Sequence, residues 1–329
     1  MKTQSNTRSF AIFLLKLGIT TAVLVFVIWK LGWESILSTI AQAEPWWMVA
    51  ALGVFFVSGV LGSVQWQVLL RNRGISMPFH KAFMLYFVGM FFNNFIFGMV
   101  AGDAVRVTYL RIGHEDVKAG FAATFLDRFA GFWAMSAFAV VAGLLLVWQR
   151  STAGRGLWYI VAVLSLMFLL FAGVMAFLVS RPLQTLVFRL VDGIRVADKH
   201  KLKLRAILQE MIIEAHDSHI VAPVAALAVV VQFLRVSVHV LCAASLGIVA
   251  GGSLYYFFVF VPVLAMTMIA PLPFGIRESI EGSLFAIAGF KPEAAVVMGF
   301  LASLVGIAVS LLGAVFFLAG KRHSREVPS

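Results

Sequence analysis

A chain of 329 residues that is 61% hydrophobic and only 12% charged does not have the composition of a water-soluble domain. Its single cysteine, Cys242, lies in an apolar run, which excludes a disulfide framework and a cysteine metal site. The formal net charge of +11 is gathered into short segments between apolar runs, the arrangement of a membrane protein orienting itself and not of a nucleic-acid binder.

The first apolar run, 10–29, follows Lys2 and Arg8. It is too long, and too far from the Ala41-Gln42-Ala43 triplet, to be a cleaved signal, so it predicts an uncleaved first helix. Further apolar segments follow at 46–70, 82–101, 119–147, 157–180, 221–249, 254–271, 276–290 and 294–319. Continuous runs of about 20 residues mean helices, because lipid offers the backbone no hydrogen bonds. If 82–101 crossed the membrane, the most basic stretch, 181–205, would lie outside with Arg181, Arg189, Arg195, Lys199, Lys201, Lys203 and Arg205, against the positive-inside rule. If instead 82–101 enters from the cytoplasm and returns after Gly102, and 254–290 does the same from the other face, the inside carries 18 Lys and Arg and the outside 4.

The expected architecture is therefore an all-α polytopic membrane protein with about six spanning helices and two oppositely oriented re-entrant helical hairpins, both termini cytoplasmic. It is read as one integral membrane domain over 1–329, with halves 1–180 and 206–320. A basic amphipathic cytoplasmic segment, 181–205, joins them; within it Leu183, Leu186, Val187, Leu190, Val191 and Ile194 recur at helical spacing. Inverted pairs of broken helices are a transporter signature, with the working site near the midplane.

The hairpin tips concentrate the polar residues. Asn93 and Asn94 precede Gly98, Gly102, Asp103 and Arg106, with Gly102 as the breaker and Asp103 placed to cap a helix starting near Ala104. In the second, Pro271, Pro273 and Gly275 break the chain, and a helix starting near Ile276 carries Arg277, Glu278 and Glu281. Glu278 and Glu281 are three apart and share a face. Three charges against lipid would cost on the order of 8–10 kcal/mol, so they face a polar cavity or one another. Helix N-termini and arginine forks suit a phosphate, which makes Asp103, Arg106, Arg128, Arg235, Arg277, Glu278 and Glu281 candidates for binding a lipid headgroup. Asn93, Asn94, Asp127, Gln232 and His239 are supporting polar residues. Asp127 and Arg128, adjacent in "TFLDRFAGFW", face different neighbours, and Arg128 is placed to pair with the first hairpin. Gln232, Arg235 and His239 form one polar stripe. The carboxylates either take part in binding, releasing an arginine when protonated, or only cap and pair to hold the hairpins. No metal-ligand spacing, nucleophile motif or phosphate loop is present, so neither a metal, a cofactor nor an enzyme is expected.

The Asn-rich stretch and "AGDAVR", then "LDRFAGFW", then "PLPFGIRE", in that order and over about 10–320, resemble the lysylphosphatidylglycerol synthase transmembrane-domain family, also called flippase-like membrane proteins. The family's first tip has Gly-Gly-Asp followed by Arg, where this chain has Ala101, Gly102 and Asp103. Its second, Pro-x-x-Gly-Gly-x-Gly-x-x-Glu, is shortened here but keeps Gly275 and Glu278. The resemblance implies a multi-pass protein of a bacterial-type cytoplasmic membrane that moves a phosphate-bearing lipid (phospholipid, polyprenyl-linked or glycolipid) between leaflets. Its implied partners are anionic membrane lipids and a lipid-biosynthesis enzyme, and no nucleic acid. Well-known relatives join this region to a soluble aminoacyl transferase; with a short basic tail after Gly320, that synthase activity is not expected here. Two other readings stay open: a non-transporting partner of a lipid-synthesis complex, and a membrane-embedded lipid-phosphate enzyme using Glu278, Glu281 or Asp103.

Overall fold

The computed structural model describes residues 33–94, 99–113, 115–149, 155–193, 198–215, 218–249, 254–267 and 276–323. In chain order the helices are α1 (Trp33–Ala41), α2 (Pro45–Asn72), α3 (Phe79–Phe92), α4 (Met99–Ile112), α5 (Val117–Gln149), α6 (Arg155–Val179), α7 (Arg181–Gly193), α8 (Asp198–Ala215), α9 (Ser218–Ser245), α10 (Leu254–Thr267), α11 (Ile276–Ile287) and α12 (Pro292–His323). Among the described residues there are no strands. Five helices are long and apolar enough to cross a bilayer: Pro45–Asn72, Val117–Gln149, Trp158–Leu178, Ile220–Ser245 and Pro292–Ala319. They coincide with five of the six expected crossings; the sixth, 10–29, lies outside the described residues. Exposed Trp46, Trp47, Trp148, Trp158 and Tyr159 sit at the ends of these helices, where amphipathic rings favour the membrane–water boundary.

The remaining apolar helices are too short to cross. α3 and α4 have 14 residues each, α10 has 14 and α11 has 12. Such helices rise only about 20 Å, against roughly 30 Å of hydrocarbon. Both pairs fold back on themselves. A Cβ on Gly89 of α3 would lie 3.0 Å from Arg106 Cγ of α4, so these arms run side by side. Phe257 and Phe260 of α10 meet Phe285 of α11 at 4.8 and 5.4 Å between ring centroids. The expected single apolar segment at 82–101 is thus two arms, and the break lies earlier than the sequence suggested.

The chain divides into two compact units that do not follow its halves. One comprises Met1–Val57, Met90–Gly102 and Leu234–Ser329; the other comprises Ser58–Gly89 and Asp103–Phe233. In the first unit α11 packs closely on α12, because Gly282 lets Val296 approach and Gly299 lies beside the Glu281 carboxylate. α11 ends at Gly289, whose φ of 91° closes the helix while Phe290 N–H reaches back to Phe285 C=O at 3.1 Å. Gly74, with φ of 74°, ends α2 in the second unit in the same way, Ile75 N–H reaching Leu70 C=O at 3.0 Å.

In the second unit α5 and α6 pack through Phe129, Phe132 and Phe171. Buried Phe177 and Leu178 then anchor the end of α6 among Leu126, Val187 and Leu208. The amphipathic helix expected over 183–194 is α7, and the rest of the basic segment belongs to a second helix, α8, tied to it by an Arg205–Asp192 ion pair at 3.1 Å. On α7, Val191 is buried and Leu183, Leu186 and Leu190 are exposed. The short helix α1 was not legible in the hydropathy pattern at all.

Gly282→Ala is expected to lower Tm in detergent by roughly 2–6 °C, because the new methyl overlaps Val296 and costs about 1–3 kcal/mol. Gly53→Ala in α2, where a Cβ meets nothing within 4 Å, is the control and is expected to leave Tm within about 1 °C.

Candidate functional site

Two groups of buried charge are assembled, one in each unit. The first is built on α4. That helix begins at Met99, so Asp103 and Arg106 occupy its second turn, and Asp103 is not the N-cap that the sequence suggested. Gly102 is likewise no breaker: it lies inside α4. Asn93, at the end of the first arm, accepts the Gly102 N–H at 2.8 Å and supplies the capping oxygen in place of Asp103. Asn94 reaches the Gly306 carbonyl of α12 at 3.4 Å.

Relieved of capping, the Asp103 carboxylate collects two arginines. Arg106 donates to Oδ1 from within the same helix. Arg128, from α5, grips both oxygens, with Nη2 at 2.9 Å from Oδ1 and Nε at 3.0 Å from Oδ2. This two-pronged geometry is the strongest that arginine makes with a carboxylate. Arg106 is only 2% exposed, and its guanidinium lies 5.2 Å from the centroid of Trp66 and 4.9 Å from that of Tyr86. Desolvated cations gain from such ring faces. Trp66 is itself fixed by donating to Thr124 Oγ1 at 3.0 Å. Behind Arg106, Asp127 Oδ2 stands 3.6 Å from Nη1, and Gln65 donates to Asp127 Oδ1 at 2.9 Å. Arg106 Nε and Nη1 have no hydrogen-bond partner among the described residues. Two arginines and two aspartates therefore form one electrically neutral network, with Arg106 sealed inside and Asp103 and Arg128 each 22% exposed at its rim.

The second group is in the other unit. Glu278 and Glu281, each 1% exposed, share one face of α11, and each has its own partner. Ser303 of α12 donates to Glu278 Oε1, and His239 Nδ1 of α9 lies 2.6 Å from Glu281 Oε1. Gly299 is the point where α12 passes the carboxylate: a Cβ there would lie 2.9 Å from Glu281 Oε2. That oxygen has no hydrogen-bond partner among the described residues.

Of the residues singled out from sequence, the structure brings together Asp103, Arg106, Asp127 and Arg128, and separately His239, Glu278 and Glu281. Gln232 is buried, its amide nitrogen pressed against Gly131 in the second unit, and Arg235 is half-buried one turn before His239 on α9. The breakers Pro271, Pro273 and Gly275, and the side chain of Arg277, lie outside the described residues. Sequence reading missed Gln65, Trp66, Tyr86, Gly89 and Thr124. Gln65 carried a signal, being a polar residue inside a span; the others look like ordinary packing residues.

The lysylphosphatidylglycerol synthase TM region matches residues 13–317, which takes in α1 to α11 and most of α12. The chain belongs to this family. A member of the lysylphosphatidylglycerol synthase TM region family is a multi-pass integral membrane protein, and the matched part is that membrane region alone. The chain is also similar to the UPF0104 membrane protein PH1989 of Pyrococcus horikoshii, 25% identical over 99 residues, which is 30% of this chain and 29% of that relative. The match therefore spans under a third of the relative's length. No solved structure matches the chain.

Asp103→Ala leaves Arg106 buried with only the longer Asp127 contact, and an uncompensated buried charge costs on the order of 3–5 kcal/mol. It is expected to lower Tm clearly more than Asp103→Asn, which keeps an acceptor for both arginines. Thermal unfolding of the two variants side by side measures the difference.

Proposed function

We propose that the chain is a flippase-like translocator that moves an anionic, phosphate-bearing lipid between leaflets, with the Asp103–Arg128–Arg106 network as its headgroup contact. The observation that carries this reading is the exchangeable partner at the rim. Arg128 holds Asp103 through two parallel hydrogen bonds, and a phosphate offers the same spacing of oxygens. A headgroup arriving at the exposed edge takes the place of Asp103 on Arg128, and the unpaired N–H groups of Arg106 lie one layer behind. Hydrocarbon cannot solvate a phosphate, so its transfer requires such replacement of lost hydration.

In this reading the hairpins enter from opposite faces of a bacterial cytoplasmic membrane and both termini are cytoplasmic, as the 18-to-4 distribution of Lys and Arg favours. The family's name adds a link to lipid modification, and the buried charges explain why a membrane region would keep ionised groups that cost several kcal/mol each in lipid.

Proteoliposomes holding fluorescent phosphatidylglycerol or phosphatidylcholine, quenched from outside, test it. The wild type is expected to expose the inner-leaflet phosphatidylglycerol pool at least about tenfold faster than protein-free vesicles. Arg128→Gln is expected to lose most of that rate at a near-normal Tm, and Arg128→Lys, which keeps charge but not the fork, to fall between. Recovered lipid of unchanged mass separates movement from chemistry. Wild-type vesicles no faster than empty ones, or Arg128→Gln as fast as wild type, would overturn the reading.

A further inference from the structure

The second buried group is a different device from the first. The Arg106 network is neutral, with cations matched to carboxylates, and its edge is accessible. The group around Glu281 is sealed and acidic. The elements packed there are α9, which carries Arg235, His239 and Cys242; α11 itself, which carries Arg277 and Glu278; α12, which supplies Ser303 and the bare Gly299; and α10, which faces α11 with phenylalanine rings. The side chain of Arg277 lies outside the described residues. Within hydrogen-bond reach of Glu281 stands only the imidazole of His239, at 2.6 Å, among the described residues.

A contact this short needs a proton between the two atoms, and one proton can sit on either side. If it sits on Nδ1, the Glu281 carboxylate is charged, and its second oxygen is buried with nothing to solvate it. If it sits on Oε1, Glu281 is a neutral acid donating to a neutral imidazole, and the bare oxygen is an uncharged carbonyl. Only the first arrangement leaves a charge on the bare oxygen. Losing the proton therefore obliges the surroundings of Oε2 to change: a donor or water must reach it. Gly299 of α12 lies directly against that oxygen, a Cβ there falling 2.9 Å from it, so a donor or water reaching Oε2 on this side requires α12 to shift.

We infer that His239 and Glu281 form a proton-binding site that couples movements of the α11–α12 pair to protonation, so that the proposed lipid transfer responds to the transmembrane proton gradient. This rests on the reading above for its transport half only. Binding consists of one proton taken up on Glu281 Oε1, with His239 Nδ1 as the acceptor of its hydrogen bond, and release returns that proton to water through the opened Gly299 side. No bond other than O–H is made or broken.

Two readouts distinguish the site from the transport. In the first, infrared difference spectra of reconstituted full-length protein are recorded between about pH 4 and pH 9, a range that starts at the ordinary carboxyl value. A protonated-carboxyl band that titrates in wild type, is missing in Glu281→Gln and is shifted in His239→Asn is the expected result. A difference spectrum unchanged by Glu281→Gln would overturn the proton site whatever the transport assay shows. Should Glu281→Gln not fold, His239→Asn alone decides, an unshifted band overturning the pair. In the second, phosphatidylglycerol transfer in proteoliposomes is followed with and without an imposed pH difference. Wild-type rates are expected to change by up to about tenfold per pH unit, the limit for one linked proton, and Glu281→Gln is expected to transfer at a rate indifferent to the gradient. A wild type that transfers lipid equally fast at every gradient would overturn the coupling. A titrating band in a protein that moves no lipid would leave the proton site standing and sink the proposed function instead.

Discussion

Everything in the second unit is arranged around one difficulty: a guanidinium, Arg106, placed where 2% of it is exposed. A buried cation is tolerable only if its charge is matched and its plane is covered by something better than hydrocarbon. The residues around it divide that work. Asp103 and Asp127 supply charge, Trp66 and Tyr86 supply ring faces, and Gly89 supplies room, since any side chain there would press on the Arg106 stem. Arg128 then restores neutrality at the rim. Two helices, α2 and α5, and the first hairpin meet at this residue, so the charge network doubles as the constraint that fixes how they pack.

The hairpins follow from the same economy of space. A helix that turns back inside a membrane must satisfy its own ends, and here Asn93 does so for the second arm by taking the Gly102 N–H. With α4 beginning at Met99, upstream of the aspartate, Asp103 is free to meet the arginines. In the other unit, Gly282 and Gly299 let α11 lie close against α12, and this closeness strips water from Glu278 and Glu281. Small residues at helix contacts are how membrane proteins gain packing when lipid provides no hydrophobic drive.

The crossings were legible because a span of about 20 apolar residues has few other meanings. The tip residues were legible for the opposite reason, since a charge inside an apolar run is costly enough to need a purpose. Partnership was legible only in part. Arg128 was placed to pair with the first hairpin and does so through Asp103, whereas His239 and Glu281 are 42 residues apart and no local pattern joins them. Trp66 and Tyr86 were hidden among 31 Phe, 8 Trp and 5 Tyr, where an aromatic that covers a cation looks like any other packing residue. The start of α4 was misplaced because an aspartate beside a glycine satisfies the local rule for a helix cap, while the helix in fact begins at Met99 and Asn93 takes the Gly102 N–H.

The neutral resting state of the arginine network also bears on how a translocator has to bind. A pair of unopposed arginines would hold a phosphate tightly, and a carrier that holds its cargo tightly does not release it on the far side. In the proposed reading Asp103 is an internal ligand of the same charge and similar reach, so a headgroup would gain only the difference between two arginine–oxyanion pairs. Exchange of one anion for another leaves the net charge of the site where it began whenever Asp103 is taken up elsewhere, and the cost of burying an unmatched ion is avoided at each step. Carboxylates beside the arginines are therefore no objection to the proposed phosphate contact: they would set its affinity low enough for passage.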